Sequence, residues 1–216
     1  MPTGGVVDPA RLVRALASES DAQVIERTRI ARVELDGTSV RLSASSGSSV
    51  VADRVLLALN AGLPRLLPEL APAVRPVRAQ MLATAPLPAR LPAPVYSHEG
   101  YFYVRQRADG RVLMGGARHF HREAEVGYED ATTDAVQTDL ERYLERHVGL
   151  CDVEIERRWS GTMGFSPDEL PALGDVPGVP GARWAAGFTG HGRGYGLRFG
   201  LLAARHVLGV GDAALD

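Results

Sequence analysis

The stretch that most constrains this fold runs from Trp184 to Leu208. Trp184-Ala185-Ala186 is a short apolar run that reads as a buried strand. Gly187-Phe188-Thr189-Gly190-His191-Gly192-Arg193-Gly194-Tyr195-Gly196 follows, with five glycines in ten positions. Leu197, Leu201, Ala204 and Leu208 then recur at helical spacing, and Gly209 stands where a C-cap belongs. The pattern is strand, glycine-rich turn, helix. Without Cβ atoms the backbone of such a turn can approach a flat or anionic ligand closely. The helix start adds free N–H groups and the positive end of the dipole. A tight turn that binds nothing satisfies the same pattern, so both readings stand here. A Walker-type phosphate loop does not, because no Lys-Ser/Thr pair follows the glycines.

A chain of 216 residues can hold one large domain or two small ones with a proper core. Its net charge of -2 and the lack of any block of like charge argue against a nucleic-acid binder. The single cysteine, Cys151, excludes an internal disulfide and a cysteine-based metal cluster, and reads as a core or half-buried thiol. No apolar run reaches the roughly 18–20 residues of a membrane span. Met1 to Gly5 shows neither the basic nor the apolar segment of a signal peptide, so the sequence predicts a soluble, cytoplasmic protein.

Read in order, Asp8-Pro9 and the face Leu12, Val13, Leu16, Ala17 predict a helix from Pro9 to about Ser18. Arg29–Leu35, Asp36-Gly37 and Val40–Ser43 predict a hairpin, with Ser45–Ser49 as the next turn. Val50–Leu59 lacks alternation in its second half and reads as one strand covered on both faces, as in a parallel sheet. It ends in the turn Asn60-Ala61-Gly62, at the strand end where α/β sheets hold ligands. Prolines between Pro64 and Pro94 disfavour helix, leaving Val77–Thr84 as a strand. Tyr101–Gln106 and Arg111–Gly116 form an aromatic hairpin, suited either to a binding wall or to a core. Thr132–His147 is an amphipathic helix, Val153–Trp159 a strand, and Phe165–Gly181 a loop.

Few residues support protein-only catalysis. His119 and His121 have no carboxylate or thiol at a supporting spacing, so they read as solvated and no metal site is expected. Ser160 and Ser166 lack the Gly-x-Ser-x-Gly elbow. Asp168-Glu169 reads as a turn. Any difficult chemistry would come from a cofactor.

Taken together, the pieces resemble the C-terminal part of the D-amino-acid-oxidase-like family of FAD-dependent oxidoreductases, which includes glycine and sarcosine oxidases. Gly4-Gly5-Val6-Val7-Asp8-Pro9 resembles its GG-x-V-D-P helix start, and Ala58–Gly62 its A-x-N-A-G strand end. Arg111–Gly116 resembles the dGR-x-x-x-GG hairpin. Trp159-Ser160-Gly161, Asp168, Leu170-Pro171, Leu173-Gly174 and Gly187–Gly192 resemble its closing signature. The fragments keep their order over nearly the whole chain.

The resemblance implies an α+β (mixed α/β) fold: a partial FAD-binding α/β layer from residues 1–73 and 166–216, and an antiparallel-sheet substrate domain from residues 74–165. It implies that Ile30 meets the adenine through its backbone, and that Asn60, Ala61 and Gly62 lie near the dinucleotide. It places Gly187, Phe188, Thr189, Gly190, His191, Gly192 and Arg193 under the flavin, whose reduced form carries negative charge that a helix N-terminus stabilises. Phe102, Tyr103 and Met163 would face the substrate. The implied reaction passes a hydride from the substrate's C–H to FAD, giving an imine and, with oxygen as acceptor, hydrogen peroxide.

Two departures bear on this. The family opens with a Gly-x-Gly-x-x-Gly strand–helix unit that grips the pyrophosphate, and this sequence has none. The expectation is a truncated or split flavoprotein, with a partner chain supplying that unit and FAD bound more weakly than in the family. A non-catalytic module of the same ancestry is the alternative. Second, Met163 stands near a position where glycine-oxidase-like members carry an arginine for the substrate carboxylate. Methionine cannot form that bidentate pair, so an amine, or an amino acid held differently, is the expected substrate.

Overall fold

The computed structural model describes residues 5–210; Gly4, the first glycine of the helix-start motif, lies outside them. The chain divides into two compact units. One reaches to Val74 and resumes at Phe165; the other is Arg75–Gly164.

The first unit begins with helix α1, Pro9–Glu19, where Asp8 caps the start by accepting the N–H groups of Ala10 and Arg11 at 3.0 and 3.1 Å. None of its residues is buried, although its apolar face is well formed. Strands β1 (Ile30–Asp36), β2 (Ser39–Ala44) and β3 (Ser49–Ala52) make an antiparallel meander in the order β1-β2-β3, turning at Gly37 and Gly47. The single strand expected over Val50–Leu59 is two. β3 closes the meander, and β4 (Val55–Leu57) starts a different sheet. The break falls at Asp53-Arg54. There Asp53 accepts the Ser39 hydroxyl at 3.0 Å, and Arg54 donates to the Val207 carbonyl at 2.6 Å. After β4 come a one-turn helix at Asn60–Gly62 and helix α2, Leu63–Leu66.

The second unit is a five-stranded sheet. Its strands are β5 (Arg75–Thr84), β6 (Val95–Ser97), β7 (Phe102–Gln106), β8 (Val112–Gly116) and β9 (Ile155–Phe165), in the order β6-β7-β8-β5-β9. β9 is longer than the Val153–Trp159 expected, carrying the chain back to the first unit. Helix α3, Asp134–Tyr143, runs on into a wider turn at Leu144–Val148. Val136, Leu140, Tyr143 and Leu144 pack with Leu82, Phe102, Val104, Val112 and Met114, forming one core. A polar set is buried in the same unit. Glu125, 1% exposed, accepts from Arg78 Nη2 at 2.7 Å and Nε at 3.1 Å, and from Gln80 Nε2 at 2.9 Å.

The chain then completes the first unit with β10 (Ala172–Asp175), β11 (Ala182–Ala186) and helix α4 (Gly192–Leu208). β10 lies within the stretch read from sequence as loop. Pro171 precedes it, and four residues are too few to show a period. β11 pairs antiparallel with β10 and parallel with β4, so the parallel pairing expected of this region belongs to Val55–Leu57 alone. Val33, Val40, Val55, Leu57, Leu63, Val74 and Trp184 are buried together in the core of this unit. α4 begins at the glycines, five residues before the apolar spacing starts, and Gly209 ends it in the left-handed conformation. Of its 17 residues only Ala203 is buried. Among the described residues, most of the large apolar side chains left exposed sit in this unit, including Val13 on α1 and Leu197 on α4, 64% and 63% exposed.

Candidate functional site

The glycine turn is held from three sides within the first unit. Gly187 leaves β11 with φ +81°, Thr189 has φ +48° and Gly190 φ +83°. A side chain at Gly187 would be strained by that φ, and its Cβ would stand 3.0 Å from the Ser166 Cβ. Thr189 is β-branched and rarely adopts a positive φ. Its hydroxyl, buried, holds it there: Oγ1 accepts the Ser166 N–H at 3.3 Å and lies 3.2 Å from the Gly187 carbonyl. Ser166 Oγ lies 2.6 Å from the Leu170 carbonyl and 3.2 Å from that of Gly187. Asn60, at the end of β4, accepts the Gly187 N–H through Oδ1 at 3.0 Å.

Beyond the turn, His191 stands at the N-cap of α4 without a capping side chain. Its carbonyl takes the N–H groups of Gly194 and Tyr195 at 2.9 and 3.2 Å. Those of Gly192 and Arg193 find no acceptor among the described residues. They are orphan donors at the positive end of a 17-residue helix, beside exposed His191 and Arg193. Phe188 meets Phe199 edge-on at 5.3 Å.

Of the candidate cofactor residues, the structure therefore joins Asn60 directly to the 187–193 turn, with Ala61 buried beside Asn60 and Gly62 entering α2. Ile30 opens β1, half-buried against the core of the same unit. Ser166 and Thr189 are the residues that lock the turn. Ser166 offered no sequence signal, since it follows no motif and its partners in the turn, Gly187 and Thr189, lie more than 20 residues away.

In the second unit, Phe102 and Tyr103 take opposite sides of the sheet. Phe102, 4% exposed, stacks on Tyr143 at 4.1 Å in the core. The Tyr103 ring lies across Gly115, where an added Cβ would come within 2.4 Å of it. Met163 is half-buried on β9. The two histidines read as solvated are both engaged. His121 Nε2 meets Asp139 at 2.8 Å, and His119 is wedged 3.8 Å from Phe120 and 4.7 Å from Tyr101. Cys151, read as a core or half-buried thiol, is exposed. Among the described residues, no three His, Cys, Asp or Glu side chains are grouped to hold a metal ion, and no helix is long and apolar enough to cross a membrane.

Residues 1–206 match the sequence profile of the FAD-dependent oxidoreductase family, often abbreviated DAO. The chain belongs to this family. A probable oxidoreductase OrdL of Rhizobium meliloti is 32% identical over 197 residues, spanning 87% of this chain and 44% of that protein. A glycine oxidase of Pseudomonas aeruginosa is 31% identical over 189 residues, 85% of this chain and 49% of its own. In three dimensions, the glycine oxidase of Geobacillus kaustophilus overlays with a TM-score of 0.76 at 22% identity, covering 96% of this chain and 55% of that one. This chain thus spans about half the length of the relatives it matches.

The residues present fit part of the family's cofactor. Orphan N–H groups at an uncapped helix start, behind a turn whose Gly187, Gly190 and Gly192 carry no Cβ, suit the anionic edge of a flat ring. A Gly-x-Gly-x-x-Gly strand–helix unit for a pyrophosphate does not occur among the described residues.

Proposed function

We propose that this chain is the part of an FAD-dependent oxidoreductase that carries the flavin-contacting turn and the substrate sheet. In this reading the enzyme oxidises the C–N bond of an amine or amino acid. The observation that carries the proposal is the turn at 187–193, locked by Asn60, Ser166 and Thr189 so that the Gly192 and Arg193 N–H groups stay open. When bound, FAD supplies the hydride acceptor. The protein's own part is orientation and charge. The α4 N-terminus offsets negative charge on the ring, an effect worth about 0.3–1 kcal/mol at exposed sites and up to about 2 when partly buried. His191 and Arg193 add to it. In the substrate unit, Tyr103 and Met163 are the half-buried side chains assigned to the substrate, and Phe102 supports the hairpin from the core side. A methionine offers no donor to a carboxylate, which favours an amine over a simple α-amino acid.

The pyrophosphate grip is proposed to come from chain outside these residues, either joined to them or in a partner. The nearly unburied helices α1 and α4 support this, since each presents an apolar face that its own unit does not cover. The same observation favours a second reading, a module that binds a partner and does no chemistry itself. Anaerobic mixing of the FAD-loaded protein with a panel of primary amines, secondary amines and α-amino acids separates them. Bleaching of the flavin by a secondary or primary amine supports the enzyme. Bound flavin that no member of the panel bleaches supports the module.

A further inference from the structure

We propose a second ligand site, in the substrate unit and independent of the flavin: a cleft of about 840 Å³ that binds a small organic anion, an apolar body ending in a carboxylate or phosphate. Ala83 of β5 and Leu113 of β8 line it along the sheet. The β7–β8 turn contributes Arg107, Asp109 and Arg111, and the start of β9 contributes the run from Glu156 to Trp159.

Four guanidinium groups and two carboxylates meet here, and the pairing among them decides what remains free. Glu156 is committed to Arg111 in a two-pronged pair, Nε to Oε2 at 2.7 Å and Nη2 to Oε1 at 3.1 Å. Asp109 is shared between Arg111 and Arg107, at 3.4 and 3.3 Å. Arg158 turns to α3, where it meets Glu141 at 2.7 Å and donates to the Gln137 side-chain Oε1 at 2.9 Å. Arg157 makes no hydrogen bond or ion pair with any described residue. Its five N–H donors are open in a concave, net-positive surface, and a guanidinium fork binds a carboxylate or phosphate two-pronged. Two positions along the strand, Trp159 lines the same cleft and is 37% exposed as a residue. Most indole surface in a folded chain is covered, and a large apolar side chain left open beside an unpaired arginine is the composition of a binding surface. The indole takes the apolar body, Arg157 takes the oxyanion, and the fixed Arg111–Glu156 pair holds the wall between them in shape.

The chain has two tryptophans, so its nitrogen-15-labelled form gives two indole N–H signals, assigned by Trp159→Phe. The probes are phenyl phosphate and phenylacetate. The proposal expects saturable movement of the Trp159 signal with at least one of them and no movement of Trp184, which is buried in the other unit. The tighter probe tells a phosphate ligand from a carboxylate. Arg157→Gln, at an exposed position with no hydrogen bond or ion pair to a described residue, should raise the half-saturating concentration at least about tenfold. A Trp159 signal unmoved at about 10 mM of either probe overturns the site. So does an unchanged midpoint in Arg157→Gln. Inorganic phosphate moving the signal at the same midpoint as phenyl phosphate would overturn the role given to the indole.

Discussion

Asn60 Oδ1 accepts the Gly187 N–H at 3.0 Å, tying the end of β4 to the first residue of the glycine turn 127 positions later. The bond explains why an asparagine opens the one-turn helix after β4, since its side chain fixes where β11 releases the chain. Asn60→Ala leaves a part-buried N–H unpaired, at a cost of about 1–3 kcal/mol. A urea melt should show that loss, and flavin binding should weaken with it. Asn60→Asp restores the acceptor but adds a negative charge near the turn. It should recover most of the stability while leaving flavin binding weak.

The buried charges of the substrate unit make a second case. Glu125 is the acceptor that holds Arg78, and that hydrogen bond, ahead of the opposing effect of burial, raises the arginine's pKa above its usual value. Glu125→Gln keeps the shape but leaves buried Arg78 only the exposed Glu129, at 3.3 Å, as counter-charge. Breaking a buried pair from one side costs about 3–5 kcal/mol. Replacing both partners, as Arg78→Met with Glu125→Leu, should recover much of that loss in the same melt.

His119 gives a pH dependence. Burial first, then the neighbouring His98, Arg122 and Arg118, hold its pKa below the usual value near 6.5. The folded protein therefore resists a proton that the unfolded chain accepts. Stability contributed by neutral His119 is fully present above about pH 6.5 and is lost as pH falls through and below it. Melting temperatures between pH 7.5 and 5 should fall, and His119→Phe, which keeps a ring among Tyr101, Phe102 and Phe120, should flatten that slope. An equal slope in the variant would assign the effect to another group.

Tyr103 and Gly115 are cross-strand partners, and the ring occupies the space a side chain at 115 would need. Gly115→Ala should displace the ring at about 1–3 kcal/mol of stability. If Tyr103 faces substrate, KM should rise more than kcat falls. A change in kcat alone would argue against that placement.

The apolar faces of α1 and α4 predict association. Burying a side chain such as Leu197 or Leu201 contributes roughly 1.5–3 kcal/mol. Light scattering on the isolated chain should show mass rising with concentration, and Leu197→Glu with Leu201→Glu should suppress it. A wild-type chain that stays monomeric at all concentrations would contradict the reading of these faces.

Local chemistry was legible and long-range contacts were not. Asp8-Pro9, Asp36-Gly37 and the aromatic hairpin follow from capping and turn rules that act over a few residues, and each element stands where those rules put it. The break at Asp53-Arg54 depends on the Val207 carbonyl 153 residues away, which no local period reveals. Ser166 is silent for the same reason. The resemblance set Phe102 and Tyr103 together toward the substrate, whereas neighbours on a strand take opposite faces, and no local pattern says which face the core claims. α3 decided that through Tyr143.

The central claim is that the 187–193 turn contacts flavin. Its most direct test is titration of FAD, and separately FMN, with the purified chain, followed by flavin absorption and fluorescence. The account predicts a saturable perturbation, similar for both flavins because the pyrophosphate grip is absent from the described residues. Gly187→Ala should weaken it at least about tenfold, equivalent to about 1.4 kcal/mol. A flavin spectrum that the chain leaves unchanged, or perturbs equally with Gly187→Ala, would contradict the account.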